Sequence, residues 1–331
     1  MATKKIISLR DKCFYNSLWM FEHFFNLTNL EKKRFKLSSK IASKIKLEEK
    51  YRLSKVPTET SISVSSFHAN YFKNPRPVVF KGAAKNWIAC KSWSPNFFKE
   101  HYGNTKVVLF NGSVKDIKSA KRSDTKLLDF KTFINLMESG SKDYVRFLPI
   151  LDENPELLNQ INNDWLSKYS NSKRKGLKRQ LFIGGKNTST SIHSAIGSNL
   201  FVQIHGRKEW YIYDTCYNPL IQPVVDKSIF FRSNVTAKRP DEIFKKAKGW
   251  HVVLQPGDIL YNPPFFWHEV HNLDTSIGFG YRWFSLNEII KSSLQQFILT
   301  ITATNPSIRE AKKLEGNFAK VYEQVLSKSL K

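Results

Sequence analysis

Only three cysteines, Cys13, Cys90 and Cys216, occur in the 331 residues. Odd in number and widely spaced, they form neither a disulfide framework nor a zinc-ligand pattern, which points to a reducing compartment. No stretch approaches the roughly 20 consecutive apolar residues that span a bilayer, so no transmembrane segment is expected. The start Met1-Ala2-Thr3-Lys4-Lys5 is basic, but the apolar residues after it are interrupted by Arg10, Asp11 and Lys12. A secretory leader is therefore not expected, and a cytoplasmic location is.

Acidic residues are scarce as well. Against 53 Lys and Arg stand 28 Asp and Glu, a formal net charge of +25. A field of that sign attracts nucleic acid, an anionic membrane surface or an acidic peptide. The charges are spread along the chain and no nucleic-acid-binding motif is present, so a solvated lysine-rich surface is the ordinary account and nucleic acid is not favoured. The densest stretches are Lys32-Lys33-Arg34 and Lys173 to Arg179. The second is expected to be a mobile surface loop, with a rim for an anionic substrate as the competing reading.

What the chain does contain is concentrated chemistry between Asn187 and Trp210, NTSTSIHSAIGSNLFVQIHGRKEW. If 190 to 195 is a strand, His193 and Ala195 share a face and Ser194 points the other way. A metal-capable imidazole then lies beside an empty slot. Further on, Gln255-Pro256-Gly257-Asp258 makes a turn, an apolar strand follows, and Pro263-Pro264 leads into Phe265-Phe266-Trp267-His268.

Together these stretches resemble the JmjC-type and cupin-like Fe(II)/2-oxoglutarate oxygenases over roughly residues 60 to 285, including the entry Arg76-Pro77-Val78-Val79-Phe80-Lys81-Gly82 with Trp87 and Trp93. The resemblance implies a mainly β fold, a double-stranded β-helix or jelly roll, with N-terminal and C-terminal helices. It implies Fe(II), 2-oxoglutarate and O2 as cofactors, with His193 and His268 as metal ligands. Thr190 and Lys208 match residues that hold the 2-oxoglutarate carboxylate. Asn199 matches an active-site asparagine, Tyr144 a cosubstrate-binding tyrosine, and Arg282 is a second cation for cosubstrate or substrate.

The family motif is H-x-D/E, and here the acidic position is Ala195, whose methyl group cannot ligate iron. Three readings follow. In iron/2-oxoglutarate halogenases the carboxylate is replaced by Ala or Gly and a halide takes its place, so Ala195 would be a chloride slot. Alternatively, water or a distant carboxylate completes the site and the enzyme hydroxylates; Glu269 is a poor substitute because it faces away from its neighbour His268. Thirdly, the metal site has decayed and a non-catalytic binding module remains. The persistence of Thr190, His193, Asn199, Lys208 and His268 favours an enzyme, and the halogenase-type reading leads. Family precedent and the basic rim point to a peptide, a protein or a carboxylate-bearing small molecule as substrate.

Along the chain, a basic helical extension is expected over 1–55, with Leu18, Phe21 and Phe25 in its apolar stripe. A domain over 56–285 follows. Within it, helices are expected after Ser94-Pro95, over Leu127 to Met137 and over Asn154 to Tyr169, and a strand Lys106 to Phe110 ends at the hairpin signal Asn111-Gly112. His205, His251 and His271 are read as structural or surface groups. Over 286–331 the period changes to helical: Leu286, Ile289, Ile290, Leu294, Phe297 and Ile301 form one stripe, and a second helix opens at Ser307 with Glu310 in capping-box spacing. Two such helices are the expected dimerisation element of a homodimer.

Overall fold

The computed structural model describes residues 7–25, 27–46, 53–111, 126–305, 307 and 309. Five short strands come first: β1 (Ser54–Lys55), β2 (Thr58–Glu59), β3 (Val78–Phe80), β4 (Lys106–Asn111) and β5 (Lys126–Asp129). Then come β6 (Asp143–Leu148), β7 (Lys175–Gly184), β8 (Ser189–Ser194), β9 (Ser198–His205) and β10 (Lys208–Tyr213). The last five are β11 (Phe231–Arg232), β12 (Gly249–Leu254), β13 (Ile259–Asn262), β14 (Trp267–Asn272) and β15 (Ser276–Phe284).

They form two sheets, β1-β12-β10-β14-β8-β11 and β2-β3-β13-β9-β15-β7-β6-β4-β5. From β7 to β10 and again from β12 to β15 the chain steps from one sheet to the other at each strand. This is the expected double-stranded β-helix with helical additions. Along β9, Leu200, Val202 and Ile204 belong to one apolar cluster, while Phe201 between them belongs to another. The period-2 pattern thus separates two cores. Between the sheets, Phe201 meets Trp210 at 5.0 Å between ring centroids, together with Phe182, Leu260 and Val270. Burial of each such aromatic stabilises the fold by about 2–3 kcal/mol. The outer face of the larger sheet is covered by a second cluster that includes Phe67, Trp93, Phe98 and Phe130.

Several helices differ from expectation. Leu127 and Leu128 lie in β5, paired with β4, and the helix begins only at Phe130. Because β5 starts at Lys126, Asn111-Gly112 does not close a two-residue hairpin; the rest of that connection lies outside the described residues. Asn154 to Tyr169 is two helices, Pro155–Leu158 and Asn163–Tyr169. The helix Pro95–His101 is as expected, with Ser94 Oγ accepting from the Phe97 N–H.

In the first helix, Leu9–Phe25, the buried residues are Tyr15, Trp19, Glu22 and His23, while Phe21 and Phe25 are 52% and 63% exposed. The cause is Arg34 in the second helix, Thr28–Ser43. Fully buried, it donates to Glu22 at 2.8 Å and to Tyr15 Oη at 2.7 Å, which fixes the rotation of the first helix. Lys32-Lys33-Arg34 is accordingly not a uniform basic surface.

The helix Leu286–Ile301 departs similarly. Its backbone breaks at Ser293, and its buried residues are Glu288, Ile289, Gln296, Leu299 and Thr300, whereas Leu286, Ile290, Leu294 and Ile301 are exposed. Polar anchors set this rotation: Glu288 accepts from Asn171, Ser198 and Tyr261, and Gln296 Nε2 donates to Ser194 Oγ. The second C-terminal helix falls outside the described residues apart from 307 and 309. Of the basic run before β8, Lys173 and Arg174 lie in a turn as expected of a loop, but Lys175 to Arg179 open β7 and pair with β15. No helix among the described residues is long and apolar enough to cross a membrane.

Candidate metal and cosubstrate site

β8 and β14 are neighbours in the smaller sheet, and His193 stands directly opposite His268. The next pair is Thr190 with Val270, so β8 has advanced three residues while β14 advances two. The extra residue makes a β-bulge. On a regular strand Thr190 and His193 would face opposite ways. The bulge brings both to the face of His268 and Val270, between the two sheets.

The two imidazole centroids lie 4.1 Å apart. His193 Nδ1 is 2.9 Å from the Ser191 carbonyl oxygen, and His268 Nδ1 is 2.9 Å from that of Phe266. A carbonyl can only accept, so each Nδ1 carries its hydrogen and each neutral ring keeps its lone pair on Nε2. Burial holds His193 well below its ordinary pKa, and the adjacent His268 lowers it further. Burial lowers His268 to about 4, with the Arg282 guanidinium adding to the effect. Trp210 stacks on the His268 ring at 5.4 Å, and the Asn262 amide lies 3.3 Å from Nδ1 with its oxygen as the end suited to that N–H. Two neutral imidazoles with Nδ1 tied to carbonyls are what a metal requires of its histidine ligands and their supports.

Ala195 follows His193 by two residues, just past the end of β8. Its carbonyl accepts from the Phe265 N–H at 2.8 Å. Phe265 has φ 61, left-handed backbone that costs a non-glycine residue about 1 kcal/mol or more. No group of three His, Cys, Asp or Glu able to hold a metal occurs among the described residues. Glu269 does not replace the missing carboxylate: on the far face of β14 it accepts from Thr236 Oγ1, the Ala237 N–H and His271 Nε2.

Lys208 on β10 lies opposite Asn272, on the same face of the sheet as His268. It is 1% exposed, its Nζ donates to Tyr144 Oη at 3.1 Å, and Nζ sits 4.7 Å above the Phe201 ring. Among the described residues it forms no ion pair. Burying an ammonium group without an anion costs several kcal/mol, so this environment fits the far carboxylate of a dicarboxylic acid. Tyr144, reaching across from β6, is thereby part of the site.

Asn262, Asn199 and Arg282 occupy one row of the larger sheet, on adjacent strands β13, β9 and β15. Asn199 is 4% exposed, and its Oδ1 has no hydrogen-bond partner among the described residues. A Cβ at Gly280 would stand 2.8 Å from that oxygen and 3.1 Å from Arg282 Nε, so the glycine keeps this space open. The Arg282 guanidinium lies 5.1 Å over Phe147, another non-glycine residue at positive φ.

Three contributors are not among the sequence-derived candidates: Arg146, Trp210 and Asn262. Arg146 donates to the Ser189 carbonyl at 2.8 Å and lies 4.7 Å over the Tyr144 ring. Its signal is in the sequence, two residues from Tyr144, as Trp210 is two from Lys208. His251 and His271 instead pair with Glu209 and Glu269, and neither they nor His205 join the site.

The sequence profile of the cupin-like domain matches residues 64–288. The chain belongs to that family. Similar proteins include Lysine-specific demethylase 8 of Xenopus tropicalis, 24% identical over 67% of this chain and 51% of that protein. JmjC domain-containing protein D of Dictyostelium discoideum is 25% identical over 65% of this chain and 53% of its own length. Arginine-specific demethylase JMJ20 of Arabidopsis thaliana is 22% identical over 67% and 55%. This cupin-like chain thus spans about half the length of the curated relatives it matches.

Proposed function

We propose that the protein is an Fe(II)/2-oxoglutarate-dependent enzyme that functionalises a C–H bond of a protein or peptide. The observation that carries this reading is the pair His193 and His268, with Nδ1 hydrogens tied to backbone carbonyls and Nε2 lone pairs free, on the same sheet face as buried Lys208. Iron with 2-oxoglutarate and O2 would supply the oxidising power to abstract hydrogen from an unactivated carbon.

The chain's own residues take defined parts. His193 and His268 hold the metal from adjacent strands without having to lose a proton. Lys208, Tyr144 and Thr190 take the far carboxylate of the cosubstrate. Asn199 offers an amide oxygen without a partner among the described residues, and Trp210 excludes water from one side of His268. Ala195 leaves one metal position without a protein ligand. The positive charges of Arg146 and Arg282, close enough to depress the His193 pKa, favour an anion there, so a halide and halogenation are proposed for that position. The names of two relatives support a second reading, hydroxylation leading to removal of methyl groups from lysine or arginine, with water at that position.

Anaerobic titration of the protein with Fe(II) and 2-oxoglutarate, with and without chloride, separates these readings through the metal-to-ligand charge-transfer band. A band that shifts or tightens with chloride supports halide binding beside Ala195. A chloride-insensitive band supports the hydroxylase. Absence of a band in folded protein would rule out both.

A further inference from the structure

We infer that the substrate segment is an acidic stretch of protein carrying a bulky apolar side chain, and that it docks in the cavity beside Ala195. This deepens the oxygenase reading and rests on it for chemistry, though not for binding. The cavity holds about 1150 Å³ and is lined by both Ala195 and Arg282, so it opens beside the residue that follows His193 by two, although neither His193 nor His268 is among the described lining residues. That volume exceeds the range of about 300–1,000 Å³ usual for small-molecule pockets and suits several residues of extended chain.

The walls differ in character. From the start of β7 and the end of β15 come Lys175, Lys178 and Arg282, with Lys173 just before them. Lys178 and Arg282 are register partners on adjacent strands. Arg179, on the alternate face of β7, pairs with Asp152 at 2.7 Å. Opposite, the helix Leu286–Ile301 contributes Leu286, Ile290 and Phe297, joined by Phe230 and Phe284. Leu286 is 60% exposed and Ile290 41%, unusual for large aliphatic side chains beside a cavity. Among the described residues no acidic one lines the cavity, and the nearby Glu288 is turned into the core.

Four cations facing an apolar wall of aliphatic and phenylalanine side chains complement a ligand with carboxylates on one side and a hydrophobic anchor on the other. A cationic segment would meet repulsion from every charged group of the lining. Nucleic acid would satisfy the cations, and Phe230, Phe284 and Phe297 could stack on bases, but it brings no aliphatic side chain to Leu286, Ile289 and Ile290; the oligouridylate comparison decides between the two.

The test is fluorescence-anisotropy titration of the whole protein, without metal, using a labelled peptide of Glu alternating with Leu and Phe. Its Gln counterpart, its Lys counterpart and an oligouridylate of equal charge are the comparisons. The Glu peptide is expected to bind at least about tenfold more tightly than the others, with affinity falling as salt rises. Lys175→Glu with Lys178→Glu should remove about a factor of ten, and Leu286→Asp should weaken binding independently, in proteins whose melting remains cooperative. Equal binding of the Glu and Gln peptides, preference for the Lys peptide or the oligouridylate, or no binding of any probe overturns the inference. Because no metal is present, the result is independent of the charge-transfer titration: peptide binding without a charge-transfer band would remove the oxygenase reading and leave the docking site.

Discussion

His193 and His268 face each other across β8 and β14 with ring centroids 4.1 Å apart, each giving its Nδ1 hydrogen to the carbonyl of the residue two before it. This shared device fixes both tautomers and leaves the lone pair of each ring on Nε2. Either His→Ala substitution should lower Fe(II) affinity at least about 100-fold while the circular dichroism spectrum is retained. Unchanged affinity in calorimetric titration would exclude the pair as ligands.

The same burial makes the metal-free fold sensitive to acid. With a folded pKa of about 4, His268 stays neutral where the unfolded chain, at about 6.5, takes up a proton. Its contribution is therefore intact above pH 6.5 and is lost as pH falls from there to about 4, a total near 3 kcal/mol. His193, also shifted down, adds in the same direction. Urea denaturation between pH 7 and 4 should show the loss, and His268→Asn should flatten it.

Ala195→Asp restores a carboxylate beside the pair. It should tighten Fe(II) binding and make the charge-transfer band indifferent to chloride. If halogenation is the native reaction, the variant should lose it; an unchanged product would remove the chloride-slot role from Ala195.

Lys208→Met gives opposite outcomes for two measurements. Replacing a buried ammonium that has no anionic partner among the described residues should raise the melting temperature of the ligand-free protein. The further rise on adding 2-oxoglutarate should disappear, because the charge-assisted bonds to the far carboxylate are lost, at about 2–5 kcal/mol. A melting temperature still responsive to 2-oxoglutarate would show that another cation holds it.

Glu288 ties the helix Leu286–Ile301 to the barrel through Asn171, Ser198 and Tyr261, and it is 1% exposed. Glu288→Ala leaves those donors unpaired and should destabilise the protein by about 2–4 kcal/mol, with proteolysis beginning at this helix. Glu288→Gln, which keeps an acceptor, should lose less.

The sequence by itself determined the jelly roll, the two histidine motifs, the missing carboxylate at Ala195 and the candidate cation Lys208 in Gly206-Arg207-Lys208; that this lysine is buried came from the fold. Local alternation, turn residues and family spacing all act over a few residues, and these features need nothing more. Tertiary structure decided the rest. The bulge that brings Thr190 onto the face of His193 exists only because β8 pairs with β14. Arg146 joins the site through a strand distant in sequence. Lys175 to Arg179 lie in a strand lining a cavity because they pair with β15. The apolar stripes read from helical spacing in the first helix and in Leu286–Ile301 are not the buried faces, because Arg34 with Glu22, and Glu288 with its donors, set the rotations. A buried charge must meet its partners before an apolar side chain can choose its side, and those partners come from elsewhere in the fold.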